Sequence, residues 1–366
     1  MTADAPRFLS AAGFADCLVR SVAQIDWWMS HRLLGSVYAT LPYIIQDKDE
    51  AELNARAAGI AAGDIAANGY LHRVLTLCGL GVSFTGMSNH GSMGEHQVSH
   101  YIDCFAGNLH PGTLHGQQVG VATLTMARLQ RRFLDSATPP VIKPTRIDPE
   151  GMAKRMGKDI AAQCYAEIQP KVFDERGADE INGKLAELWP TLRGELEAFA
   201  IPVAEMERLL HDAGGPMTAG DLGLPVDFYR EAVVHCREMR NRYSFLDIAA
   251  DAGWLEDFAA GGHSLSKSQE EMGQFLHNGP VEVRRSGRRD WNATGGERPR
   301  QFNILHLVAR GSDNNSLDWK ISVDRMEKFN VFSSSTDFDF FQRRPIFQLL
   351  HSPMFLKKLL PMRHCY

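Results

Sequence analysis

Four side chains in the first third of the chain are of the types that hold a metal ion: Asp16, His96, His100 and His115. They are carried by Ala11-Ala12-Gly13-Phe14-Ala15-Asp16, Gly94-Glu95-His96-Gln97-Val98-Ser99-His100 and Leu114-His115-Gly116-Gln117-Gln118-Val119. A carboxylate oxygen combined with imidazole nitrogens suits a borderline divalent cation such as Zn2+, and three protein donors leave one position for substrate. That is the donor set of a catalytic ion rather than a structural one. Spacing alone leaves open which histidines take part. In a chain with 14 histidines an isolated His-x-x-x-His pair often arises by chance, and Asp16 by itself reads more readily as a helix N-cap than as a ligand.

These groups form a site only if neighbouring helices carry them. His96 and His100 are one helical turn apart and share a face. Residues 107–113, rich in Gly, Pro and Asn, let the chain reverse before a helix that starts near Gln117, so an antiparallel return brings His115 back over His96. Asp16 opens an apolar-periodic stretch, 16–34. Further helical patterns run over 51–80, 95–105 and 117–133. After the break at Pro139-Pro140 and Pro144 they resume over 149–165, 179–199, 202–212 and 226–243. Leu185, Leu188, Leu192 and Leu196 form a stripe expected to face the core. The fold class expected is mainly α, with an all-α metal-binding domain over 1–257 and an irregular basic extension over 258–366.

The likeness extends well beyond the four side chains. Leu9-Ser10-Ala11-Ala12-Gly13-Phe14-Ala15-Asp16, Gly86-Met87-Ser88, Gly94 to His100, Leu114 to Val121 and Arg240-Asn241-Arg242-Tyr243-Ser244-Phe245-Leu246-Asp247 together resemble the iron-containing alcohol dehydrogenase superfamily. Within it they are most similar to sn-glycerol-1-phosphate dehydrogenases, over about residues 3 to 257. The resemblance implies the helical, C-terminal-type domain of the dehydroquinate synthase-like fold. It implies metal ligands at Asp16, His96 and His115, with His100 turned to the substrate as a proton relay, an imidazole of ordinary pKa being suited to that role. The metal it implies is Zn2+, with iron or nickel as alternatives, and the coenzyme NAD(P). The implied chemistry is reversible reduction of dihydroxyacetone phosphate, the metal acting as Lewis acid and the nicotinamide exchanging hydride.

Two departures stand out. Asn89-His90 occupies the place where the resembled enzymes carry an Arg-Pro pair, which bears on phosphate recognition. No Gly-x-Gly-x-x-Gly turn is present, and Gly79-Leu80-Gly81-Val82-Ser83-Phe84 lacks the third glycine. No run of Val/Ile-rich strands precedes Asp16, so the chain is expected to begin at the joint between a nucleotide-binding half and the helical half. No residue is therefore assigned to the nicotinamide coenzyme. The partners expected are a small-molecule substrate and either a second copy of the chain or a separate nucleotide-binding chain. The readings kept beside this one are a helical metal-binding or oligomerisation remnant and a polyol dehydrogenase or 3-dehydroquinate synthase-like enzyme. Aspartate at position 16 favours the dehydrogenase side, since the synthases carry glutamate there.

Composition narrows the remaining classes. With 366 residues, 44% hydrophobic and 23% charged, the chain has the makeup of a globular protein with a sizeable core. No apolar run reaches the roughly 18 to 20 residues that cross a bilayer. The N-terminus lacks a basic and an apolar signal region, so a cytoplasmic location is expected. Six scattered cysteines without a Cys-x-x-Cys pair argue against a zinc ribbon or a disulfide framework, and most are expected to be core residues. Residues 1–259 carry 23 Lys and Arg against 33 Asp and Glu, whereas 260–366 carry 16 against 11. The basic stretch from Arg284 to Arg300 has no interleaved aromatic module, so neither a nucleic-acid nor a membrane partner is expected.

Overall fold

The apolar period of the N-terminal segment produces two helices rather than one, α1 (Arg7–Cys17) and α2 (Arg20–Leu34). In this computed structural model, which describes residues 4–261, Asp16 therefore lies in the last turn of α1. It does not open a helix, and the N-cap alternative falls away. Next come α3 (Leu41–Asn54), α4 (Ala57–Ala62) and α5 (Ile65–Thr85). The expected single helix over 51–80 is broken because Asp64 caps α5, its carboxylate accepting from the Ala67 N–H at 2.8 Å. Gly79 to Phe84 is interior to α5 and is no phosphate-binding turn.

The helices that carry the histidines follow, α6 (Gly94–Phe105) and α7 (His115–Leu134). Helix α7 starts at His115, two residues earlier than its apolar pattern suggests. Gln117 Oε1 accepts from the Leu114 N–H at 2.9 Å and closes its first turn. Beyond the proline-rich break lie α8 (Pro149–Met156), α9 (Lys158–Ile168), α10 (Glu175–Glu197), α11 (Val203–Asp212), α12 (Val226–His235), α13 (Phe245–Asp251) and α14 (Leu255–Ala260). Residues 149–165 are two helices because Gly157, at φ 81°, turns the chain between them. Helix α12 stops at His235, and a tight turn, Cys236–Met239, replaces the rest of the pattern expected to reach 243. No strand occurs among the described residues.

One continuous core includes Phe14, Val22, Met29, Val98, Tyr101, Val121, Leu124, Phe133, Leu185, Leu192, Leu196, Leu210 and Phe245. Each large side chain buried there contributes roughly 1.5–3 kcal/mol relative to exposure. The leucine stripe of α10 faces this core as expected, with Leu188 only partly buried. The segment Arg7–Leu34 passes a length and hydropathy test for a bilayer span, but 72% of its window is buried in this core. Cys17 and Cys236 are buried, Cys78 and Cys164 half-buried, and Cys104 is exposed rather than in the core. Cys365 and the basic stretch from Arg284 to Arg300 lie outside the described residues.

The packing that matters for the site is α1 against α7. A Cβ placed on Gly116 would lie 2.0 Å from the Ala12 carbonyl oxygen, and one on Gly120 would lie 2.8 Å from the Ala15 Cβ. The two helices thus touch backbone to backbone, which draws Asp16 and His115 together. Gly116→Ala forces the helices apart, and the loss of stability is expected at the upper end of the ~1–3 kcal/mol typical of overpacking. Urea unfolding of the variant would show it as a lower midpoint with an unchanged slope, whereas wild-type stability would contradict the close approach.

Candidate metal centre

Asp16 from the end of α1, His96 from the first turn of α6 and His115 from the first position of α7 converge, each offering a donor atom within 4.8 Å of the others. Asp16 Oδ1 lies 3.4 Å from His96 Nε2. The His96 and His115 rings are 5.0 Å apart. A tetrahedral ion with bonds of about 2.0–2.2 Å keeps its donors roughly 3.3–3.6 Å apart, so the observed spread closes with small side-chain movements. His100 stands beside the group, stacked on His115 at 5.5 Å and 25°.

The residues fit a cation on a second count. Asp16 Oδ1 is shielded from solvent and makes no well-formed hydrogen bond among the described residues, its one facing group being His96 Nε2 at 3.4 Å. A buried acceptor left unpaired costs about 1–3 kcal/mol, and more when charged, so such groups are normally matched. Each histidine, meanwhile, has its other nitrogen anchored. Glu95 Oε1 lies 3.0 Å from His96 Nδ1 and also accepts the Met93 N–H at 2.7 Å. Ser99 Oγ donates to Gln118 Oε1 at 2.8 Å, which leaves it to accept from His115 Nδ1 at 2.9 Å. Both rings therefore present Nε2, the arrangement in which an outer carboxylate or hydroxyl orients a metal-binding imidazole.

The electrostatics follow from this crowding. Burial disfavours charge on His96, but Asp16 and Glu95 at its two nitrogens outweigh it and raise its pKa to about 9. Burial likewise opposes ionisation of Asp16, and the facing His96, His115 and His100 overcome it and lower its pKa. His100 behaves differently. Burial, reinforced by Arg240, whose Nη1 lies 3.2 Å from His100 Nδ1, pushes it down to about 3. Both influences favour the neutral form of the ring.

Several residues at the site escape a reading of types and spacing. Glu95 is fully buried beside His96. Asp103 accepts from Gln118 at 2.9 Å and from His110 at 3.1 Å; burial works against its charge, yet His115, Gln118 and His110 draw its pKa down to about 2. Asp26, also fully buried, accepts from the Gly94 N–H at 3.2 Å, the Phe245 N–H at 3.1 Å and Gln130 at 3.0 Å. Burial and the nearby Glu95 raise its pKa to about 8. The signal that could have found Glu95 and Asp26 is an acidic residue on the apolar side of a helical period. His90, one of the two residues at the Arg-Pro position, is buried with Nε2 3.1 Å from the Cys78 carbonyl oxygen.

No family model matches the chain. The glycerol-1-phosphate dehydrogenase (NAD(P)+) of Bacillus velezensis is 26% identical over 250 residues, 67% of this chain and 52% of that protein. That of Methanothermobacter thermautotrophicus is 28% identical over 187 residues, 48% of this chain and 53% of its own length. That of Natronomonas pharaonis is 32% identical over 125 residues, covering 34% of each. The chain spans about half the length of the first two of these curated relatives. In sequence, and with a mainly α build consistent with it, this chain stands near the glycerol-1-phosphate dehydrogenases.

Proposed function

We propose that this chain is the metal-binding part of an NAD(P)-linked dehydrogenase that interconverts dihydroxyacetone phosphate and glycerol 1-phosphate. The observation that carries the reading is the convergence of one carboxylate and two imidazoles, Asp16 Oδ1 facing His96 Nε2 at 3.4 Å, with His115 completing a group whose donor atoms lie within 4.8 Å of one another. A divalent ion held there, Zn2+ by the chemistry of these donors, would supply Lewis acidity to a substrate oxygen in the hydride exchange with a nicotinamide coenzyme.

The side chains supply position and hydrogen bonds. Asp16, His96 and His115 hold the ion, and Glu95 and Ser99 keep both imidazoles aimed. Arg240 donates to His100 Nδ1, so the ring proton resides on Nε2 and His100 offers a neutral hydrogen bond toward the substrate side. No nucleophilic side chain is called for, since the chemistry is hydride transfer.

The test is metal retention coupled to ligand binding. Full-length chain equilibrated with Zn2+ and dialysed is expected to keep about one ion per chain by elemental analysis. It is expected to bind glycerol 1-phosphate at least tenfold more tightly than the chelator-stripped chain in calorimetry. Failure to retain an ion, or equal affinity with and without it, overturns the proposal.

A further inference from the structure

Two arginines beside the candidate metal centre have no carboxylate in contact among the described residues. Arg240 touches His100 Nδ1, and Arg242 donates to Ser88 Oγ at 2.8 Å and to the Ser92 carbonyl oxygen. Among the described residues neither guanidinium has a carboxylate within 4.0 Å, whereas Arg155 meets Glu238 and Arg20 meets Glu50. Both are half-buried. Burial, with the two charges also facing each other, lowers Arg242 to about 9, and burial lowers Arg240 as well. Glu95 attracts both guanidiniums and Glu167 attracts Arg240, each from beyond contact distance, and two half-buried cations without a carboxylate in contact remain costly unless something anionic joins them.

The segment that carries them is held from both sides. Gln97, next to His96, donates to the Arg242 carbonyl oxygen at 3.0 Å. Buried Lys171 donates to the Arg237 carbonyl oxygen at 2.7 Å and to that of Arg242 at 3.2 Å, and is itself paired with Asp247 at 2.8 Å. The arginines are thus fixed in place rather than free on a surface, and only the His100 ring separates Arg240 from His115.

We infer that Arg240 and Arg242, with the Ser88 hydroxyl, form the anion subsite of this centre and take the phosphate of a phosphomonoester. Two guanidiniums match a dianion, while a carboxylate would leave one charge unanswered, and the planar fork of each suits phosphate oxygens. The inference deepens the function proposed above and rests on it only for the placement of the remainder of the ligand.

Inorganic phosphate is the probe, titrated into the full-length chain by calorimetry with acetate as the monoanion control. Arg240→Gln is expected to weaken phosphate at least tenfold while zinc retention stays as in the wild type and the melting temperature of the phosphate-free chain does not fall. Arg240→Lys is expected to recover part of the loss, and acetate to bind more weakly than phosphate throughout. Wild-type affinity in Arg240→Gln overturns the assignment, as does phosphate binding that disappears on stripping zinc but ignores the arginine. If the wild-type chain retains no zinc yet binds phosphate through Arg240, the metal reading fails and the anion subsite stands.

Discussion

Replacing His96 and His115 together with Ala is expected to abolish stoichiometric Zn2+ retention, leaving the helical far-UV circular dichroism of the chain in place. The pair supplies two of the three donors, and what remains, one carboxylate with 34% of its side chain exposed, is an ordinary weak cation site. Glu95→Gln is the graded companion. It keeps the shape but removes the charge behind His96, and outer partners of this kind are worth about 10–100-fold in metal affinity. Competition against a chelator of known affinity reads both variants on one scale. An ion held by the double variant as tightly as by the wild type would put the site elsewhere in the chain.

The second large effect is in pH. The His96 pKa is raised from 6.5 to about 9 in the folded, ion-free chain, so the stability it contributes is fully present below about pH 6.5 and is lost as pH rises through 9. Metal affinity runs the other way, because an ion must displace the proton that Asp16 and Glu95 hold on that ring. Affinity is therefore expected to rise by about tenfold per pH unit up to 9 and then level off, roughly 100-fold between pH 7 and pH 9. At pH 7 each ion bound should release close to one proton. Calorimetry in two buffers of different ionisation enthalpy measures that number directly, and a pH-independent affinity would contradict the geometry around His96.

The mainly α class and the return of His115 toward the face shared by His96 and His100 were readable from helical period and a short reversing loop, whereas the choice of His96 over His100 rested on the family resemblance alone. Asp16 was not readable in that way. Its carboxylate looked like a cap at the start of a helix, whereas the turn after Cys17 ends α1 and places Asp16 at its far end. Helix ends elsewhere were blurred for a common reason, since Asp64 and Gly157 act through a single capping bond or one left-handed residue that an apolar period does not register. The electrostatics were the least legible. A buried Glu95, a buried Asp26 and a neutral His100 all depend on neighbours far away in sequence, and Arg240 and Arg242 show their isolation only once the carboxylates around them can be located.

Asp26 carries a consequence of its own. Its one carboxylate receives the N–H that begins α6, the N–H that begins α13, and an amide of α7. Helix α6 presents the imidazoles, and α13 follows directly from the arginine segment. The start of α6 and the start of α13 are thereby tethered to a single buried side chain. A shift of either helix start is therefore felt at the other through that one side chain.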